Sequence, residues 1–169
     1  QEKMTHAQAQ LEILGRKPHT LSPGHYRVYL SPAALHEILK LLCWGGFSLK
    51  AQRTKESPLL RMLEEPPQHL HPSVTLLENT AAGIAPAFQA KGFLKPEQVT
   101  LIENGMYHSP LISPRSAKEY NVATNGANDE ETPGSLDLAA GDFPQAAVLK
   151  SLDRGLYINN LWYLNYSDR

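Results

Sequence analysis

The stretch YRVYLSPAALHEILKLLC, residues 26–43, decides how this chain is interpreted, because it predicts a strand that runs directly into a helix. Its first five residues follow the period-two pattern of a half-buried strand. Ser31 and Pro32 are typical of an N-cap and a first helical residue. Leucine and isoleucine then recur at helical spacing, which indicates an amphipathic helix.

His36 and Glu37 on this helix are the candidate site residues. They match the first two letters of H-E-x-x-H, in which two histidines one turn apart bind zinc and the glutamate activates water. Position 40 is Lys40 rather than histidine, and Cys43 comes seven residues after His36, about 10 Å from it along the helix axis. From the residues alone we interpret His36 as a histidine on the flank of the helix, because an incomplete ligand set rarely holds zinc.

A pair of histidines, His69 and His71, follows in the segment QHLHPS. Alternate residues of an extended segment point the same way, so such a pair can chelate a metal. The neighbouring sequence offers no third ligand, and Pro72 favours a turn. We therefore interpret this pair as surface histidines.

Composition excludes several classes of function. The chain has 169 residues, a formal net charge of −1 and 20% charged residues, so it lacks the basic surplus that drives direct nucleic-acid binding. Its single cysteine excludes an internal disulfide and suits a reducing compartment. No apolar run approaches the roughly 20 residues needed to span a bilayer, and no secretion signal is evident. We expect a cytoplasmic protein without a membrane partner.

The pattern along the chain predicts an α+β fold, with a curved, mostly antiparallel sheet and helices packed on it. We expect an N-terminal helix and linker over residues 1–23 and one domain over residues 24–169. Asn104-Gly105 predicts a hairpin turn. Helices are expected to begin at four capping residues, Ser31, Ser57, Ser113 and Asp142. The helix from Ser57 is expected to end at Pro66-Pro67.

Three further features of the chain support predictions from pattern alone. Residues 45–57, GGFSLKAQRTKES, carry basic residues without an apolar stripe and suggest an exposed, mobile or partner-contacting segment. The segment of residues 121–135, NVATNGANDEETPGS, suggests a solvated surface loop with positive φ angles at Asn125, Gly126, Ala127 and Asn128. The chain begins at Gln1 and ends on an aromatic strand at Arg169, so we expect a piece of a larger protein.

Five segments, taken in order, resemble the TldD/PmbA family of zinc metallopeptidases, which are also called modulators of DNA gyrase. They are LSPAALHEIL, GGFSLKAQRTKESPLLRML, VTLIENGMYHSPLISPRSAKEY, TNGAN and GLYINNLWYLNY, and the resemblance runs over about residues 24–163. The family's catalytic branch carries H-E-x-x-x-H, with both histidines on zinc, the glutamate as general base and a further ligand later in the chain. His36 and Glu37 match the first two positions, and Leu41 stands where the second histidine belongs.

The resemblance therefore implies a degenerate or partner subunit of a peptide-processing metalloprotease system, closer to the PmbA-like branch. It implies an extended or unfolded peptide as substrate and a homo- or hetero-oligomer with another family member. Asn125, Gly126 and Asn128 in the TNGAN segment are then candidates for the wall of a peptide channel.

The alternative is an active zinc metallopeptidase. In that case His36 would be a ligand, Glu37 the base, and the other ligands would come from His69, His71 or sequence outside these residues.

Overall fold

The structure is a computed structural model that describes residues 1–63, 69–83 and 85–165, without the side chains of Glu2 and His6. Two predictions lie outside the described residues. One is that Pro66-Pro67 ends the helix expected from Ser57, and the other is that the last extended segment continues through Tyr166 to Arg169. The division of the chain at residue 24 stays a prediction.

Helices and strands mix along the described chain, which confirms the α+β class. The helices are α1 Glu2–Leu14, α2 Pro32–Leu42, α3 Leu49–Arg53, α4 Pro114–Tyr120 and α5 Val148–Leu152. The strands are β1 Val28–Leu30, β2 Leu76–Asn79, β3 Gln98–Glu103, β4 Met106–Tyr107, β5 Leu136–Leu138 and β6 Leu156–Ile158.

The larger sheet has four strands in the order β4-β3-β2-β5, and every pair in it is antiparallel. The predicted hairpin joins β3 to β4. Asn104 and Gly105 have φ angles of 49° and 78°, and turns of this kind need two positive φ angles in succession. The hairpin prediction is thereby confirmed.

A second sheet consists of β1 and β6, which pair in parallel from Val28 with Leu156 to Leu30 with Ile158. The rings of Tyr29 and Tyr157 stack across this pair with centroids 5.1 Å apart. The pairing joins segments from opposite ends of the chain, so local sequence patterns carried no sign of it.

Helix α2 begins as the sequence predicts. The Ser31 hydroxyl oxygen accepts a hydrogen bond from the backbone N–H of Ala34 at 3.2 Å, and Pro32 occupies the first turn. The same hydroxyl donates to the backbone carbonyl of Asn159 at 2.6 Å. The cap therefore also ties the start of α2 to the segment that follows β6.

The main core lies between α2 and the four-stranded sheet. Its buried members are Phe47, Leu59, Leu76, Leu101, Ile102, Leu111 and Ala127. Phe47 is 0% exposed, and the backbone N–H of Leu111 donates to its carbonyl at 2.7 Å. The interpretation of residues 45–57 as an exposed segment is therefore wrong over residues 46–49, which are buried. Mobility or partner contact in the rest of the segment stays a prediction.

Glu131 corrects the interpretation of residues 121–135 as a solvated loop. Its side chain is buried, at 1% exposed. One carboxylate oxygen accepts hydrogen bonds from the Ser48 hydroxyl at 2.7 Å and the Lys50 N–H at 2.9 Å. The other accepts from the N–H and hydroxyl of Ser113 at 2.9 and 3.0 Å. One carboxylate thus joins the N-terminal ends of α3 and α4.

Two other predicted helices are shorter than expected. The segment after Ser57 forms a 3₁₀ turn at Leu60–Met62, and the segment after Asp142 forms a 3₁₀ turn at Gln145–Ala147 before α5. Asp142 makes no cap for α5, because Ala147 occupies the N-cap position. Within the described ranges no helix is long and apolar enough to cross a membrane.

Candidate functional site

An open cleft of about 700 Å³ separates α2 from the edge strand β5. Residues from three segments of the chain line it: His36, Leu39, Lys40, Cys43, Asn79, Ala82, Gly83, Pro133, Gly134, Ser135, Leu136 and Asp137. Its walls are therefore one face of a helix and one edge of a sheet, and the turn after β2 closes the space between them.

The helical wall is a single stripe of α2. His36, Leu39, Lys40 and Cys43 stand at intervals of three and four residues, so they share one face of the helix. Leu39 and Cys43 also pack against the core, which fixes the orientation of the stripe. His36 and Lys40 are exposed. Their side chains make no hydrogen bond or ion pair with any residue that the structure describes.

The opposite wall is β5, an edge strand of the described sheet. Asn79 N–H donates to the Ser135 carbonyl at 2.8 Å, and Ala139 N–H donates to the Thr75 carbonyl at 3.0 Å. Antiparallel residues alternate between pairs that exchange hydrogen bonds and pairs that do not. The N–H and C=O groups of Leu136 and Leu138 therefore point away from β2 and toward the open side of β5.

Asn79 and Asp137 form the polar end of the cleft. The Asn79 amide donates to a carboxylate oxygen of Asp137 at 2.9 Å and accepts from the Ala82 N–H at 3.2 Å. This chain of bonds holds the turn after β2 against β5. It also gives the Asp137 carboxylate a partner within the protein.

Glu78 holds the backbone of two residues that line the cleft. Its buried carboxylate accepts hydrogen bonds from the N–H groups of Gly134, at 3.0 and 3.1 Å, and Ser135, at 2.9 Å. The Lys95 ammonium lies 3.7 Å from it. Burial, and secondly the negative charge of Glu78, raise the pKa of the Cys43 thiol to about 11. Cys43 is therefore a neutral thiol at physiological pH and a poor nucleophile or metal ligand in that form.

The predicted metal and catalytic residues are only partly brought together. His36 lines the cleft, whereas Glu37 is half-buried and is not among the lining residues. His69 and His71 lie in an exposed turn, where the His71 ring hydrogen-bonds with the Ser73 hydroxyl at 2.8 Å. The described part of the chain contains no group of three side chains that could hold a metal ion. The residues present do not fit a zinc centre.

The regular geometry of α2 adds to this mismatch. The helix runs without interruption from Pro32 to Leu42, so position 41 lies about 140° around the axis from His36, whereas position 40 lies only about 40° away. The residue next to His36 on the cleft face is Lys40. A histidine at position 41 of this helix would therefore point away from His36.

The three loop candidates hold the local backbone. Asn125 accepts from the Ile112 N–H at 2.7 Å and donates to the Pro110 carbonyl at 2.9 Å. Asn128 accepts from the Thr132 N–H at 3.0 Å. Of the four positive φ angles expected over residues 125–128, only that of Gly126, 70°, is found, so the prediction was wrong at the other three positions. A Cβ at Gly126 would lie 2.1 Å from the Leu94 carbonyl oxygen. None of the three is among the residues that line the cleft.

Sequence patterns missed Lys40, Asn79 and Asp137 as site residues. The signal for Lys40 was present, since it stands four residues after His36 on a predicted helix. Asn79 and Asp137 are 58 positions apart in the sequence. Only the pairing of β2 with β5 brings them together.

Two of three comparisons relate the chain to known proteins. A family model described as the PmbA/TldA metallopeptidase C-terminal domain matches residues 23–169. No curated protein matches the chain.

Among solved structures, one of a candidate modulator of a DNA gyrase from Thermotoga maritima has a TM-score of 0.71 and 22% identity, covering 84% of this chain and 33% of that chain. TldE from Thermococcus kodakarensis has a TM-score of 0.65 and 16% identity, covering 81% of this chain and 33% of that chain. A candidate modulator of DNA gyrase from Bacteroides thetaiotaomicron has a TM-score of 0.65 and 19% identity, covering 89% of this chain and 34% of that chain. At these identities the similarity shows the fold, and the chain spans about a third of the length of these structures.

Proposed function

Because this chain belongs to the PmbA/TldA metallopeptidase C-terminal domain family, we propose that it binds an extended peptide in the cleft between α2 and β5. In this proposal it is a degenerate or partner subunit of a peptide-processing system. The compartment that we propose is the cytoplasm.

The observation that carries the proposal is the open edge of β5 inside the cleft. A peptide can add a strand to an exposed sheet edge, and main-chain hydrogen bonds then supply affinity for any sequence. On that side the N–H and C=O groups of Leu136 and Leu138 have no partner among the residues that the structure describes. A space of about 700 Å³ between β5 and α2 leaves room for an extended segment.

A partner role is supported by the residues around His36. Leu41 replaces the second histidine of the family motif and lies on another side of α2. Lys40 places a cation beside His36, which opposes the binding of a metal ion there.

The proposed partners are an extended or unfolded peptide and another chain of the same family. A net charge of −1 disfavours direct nucleic-acid binding, so we do not extend the gyrase label of the similar structures to DNA contact by this chain.

The test of the proposal uses the purified chain and a fluorescein-labelled unfolded decapeptide, with binding measured by fluorescence anisotropy. Leu138→Pro removes an outward N–H while leaving the β2–β5 hydrogen bonds in place, a position where edge strands accept proline. We expect this variant to lose peptide binding and to keep its circular dichroism spectrum. Leu138→Ala, which keeps the N–H, is the matched control and should bind as the wild type does.

Peptides N-methylated at alternate residues give an independent test of strand addition. Methylation in the register that faces β5 should abolish binding, and methylation in the other register should not. The proposal would be contradicted if both methylated peptides bound equally well and the Leu138→Pro variant bound peptide as the wild type does.

The alternative of an active zinc metallopeptidase rests on the position of His36 in the cleft. It predicts about one equivalent of zinc per chain, lost in His36→Ala, and peptide hydrolysis that Glu37→Gln abolishes. Elemental analysis of protein purified without chelator or a histidine tag separates the two functions, since the partner role predicts no stoichiometric zinc.

A further inference from the structure

The acidic side chains at and beside the cleft have partners within the protein, whereas the basic side chain of the lining has none among the described residues. The Asp137 carboxylate accepts a hydrogen bond from Asn79 at 2.9 Å. Glu78 is bonded to two backbone N–H groups and lies 3.7 Å from Lys95. Lys40 is the cation of the lining, and its ammonium has no partner among the residues that the structure describes. The cleft therefore contains an unpaired positive charge beside acidic groups that already have partners.

The position of Lys40 relative to β5 indicates what its ammonium group could contact: the side chains of a peptide strand added beside β5. Leu136 packs against the same core as Leu39 and Cys43, so α2 covers the sheet face to which the Leu136 side chain belongs. In a strand added beside β5, every second side chain would point to this same face. Those side chains would enter the cleft below the stripe of α2 that carries Lys40.

We propose that Lys40 makes this cleft selective for peptides that carry an aspartate or glutamate side chain on the face turned toward α2. The inference rests on the proposed function, because it requires a peptide strand at β5. The backbone of β5 holds the peptide without regard to sequence, and Lys40 pairs with its carboxylate. Contact with an acidic side chain at this position adds specificity to binding that main-chain hydrogen bonds supply.

The test measures the affinity of the full chain for three labelled peptides at low ionic strength. The peptides differ at one central position, which is Glu, Gln or Lys. We expect the Glu peptide to bind about fivefold more tightly than the Gln peptide, the range of a partly exposed ion pair. The Lys peptide should bind more weakly than both. The differences should shrink at high salt, because salt screens exposed charges.

Three variants assign the selectivity to its source. Lys40→Glu should reverse the order so that the Lys peptide binds best. Lys118→Glu changes net charge equally at an exposed site on α4 outside the cleft, and should leave the order unchanged. His36→Ala should also keep the preference for Glu, which excludes the neighbouring imidazole as its source.

Each outcome decides between the two proposals. Equal binding of all three peptides by the wild-type chain overturns the selectivity and leaves peptide binding intact. A matching shift in Lys40→Glu and Lys118→Glu also overturns it, because net charge alone would then explain the preference. If no peptide binds, the proposed function fails and the selectivity fails with it.

Discussion

Glu131 shows how a single side chain can set the arrangement of two helices. Its carboxylate meets the N-caps of α3 and α4, Ser48 and Ser113, where backbone N–H groups lack partners within the helix and a negative charge is favoured. Burial raises the pKa of Glu131, but hydrogen bonds from Ser48, Lys50, Ser116 and Ser113 outweigh it and hold the pKa below its ordinary value. The charged form is therefore the one that the fold stabilises.

Replacing Glu131 with glutamine should lower the free energy of unfolding by about 2–4 kcal/mol. The amide has one acceptor oxygen where the carboxylate had two, and its NH₂ group would face N–H and O–H donors. Urea denaturation followed by circular dichroism measures the change. Glu130→Gln alters an exposed neighbour and should stay within about 0.5 kcal/mol of the wild type. Similar losses in the two variants would show that the buried network does not stabilise the fold.

The same residue predicts a dependence of stability on pH. A carboxyl group with a lowered pKa in the folded state contributes stability that is present above its unfolded pKa, about 4.3, and is lost as pH falls through the folded value. The wild-type free energy of unfolding should therefore decline below about pH 4.5, and the decline should be smaller in Glu131→Gln. Over about pH 3 to 5, where the unfolded carboxyl group titrates, the free energy of unfolding is compared between the two proteins. Equal slopes against pH would contradict the prediction.

Cys43 makes a second prediction for a single residue. With a pKa of about 11, its thiolate fraction at pH 8 is about a hundredfold below that of a free cysteine, and the thiolate is the reactive form. Alkylation by iodoacetamide, followed by mass spectrometry, should accordingly be slow in the folded protein and rise about tenfold per pH unit up to about pH 10. In urea the rate should return to that of an ordinary cysteine. Equal rates in buffer and urea at pH 8 would contradict the shift.

At the scale of single elements, α2 and the β3–β4 hairpin were predictable because each depends on neighbours in sequence. Ser31 and Pro32 begin the helix through local hydrogen bonding and geometry, and Asn104-Gly105 makes its turn in the same way. Phe47 could not be assigned to the core in advance, because one buried ring in a basic segment leaves no periodic pattern. The bonds of Glu131 also depend on residues 18 to 83 positions away.

Helix α2 also makes a prediction about metal binding. Because position 40 is the neighbour of His36 on the cleft face, Lys40→His should place two histidines one turn apart and raise Ni²⁺ affinity by about tenfold, measured by calorimetry. Leu41→His should leave the affinity near that of the wild type, since position 41 points elsewhere on a regular helix. Stronger binding by Leu41→His than by Lys40→His would show that the helix does not keep its regular form around the metal.

At the scale of the whole molecule, the β1–β6 pair is the part of the fold that most needs a partner. Each of these strands pairs only with the other among the described residues, and two-stranded sheets are marginal on their own. Exposed apolar residues lie on β6 and on the chain segments that precede and follow it in sequence, and we refer to them as the aromatic surface: Phe143, Leu149, Tyr157, Trp162 and Tyr163. Trp162 is 90% exposed and Tyr163 is 80% exposed. Apolar patches of this kind mark interaction sites.

We predict that the aromatic surface joins two copies of this chain, which is the homo-oligomeric form of the proposed partnership. Sedimentation velocity over a wide concentration range should show self-association of the wild type, and Trp162→Glu should shift it to monomer by placing a charge within an apolar contact. Met106→Glu puts the same charge on an exposed apolar residue of β4, in the other sheet, and should associate as the wild type does. A wild type that stays monomeric at every concentration, or equal weakening by both substitutions, would contradict a dimer formed through this surface. In the first case a different chain of the family becomes the partner to test against the same two variants, because the exposed side chains of the aromatic surface would still need to be covered.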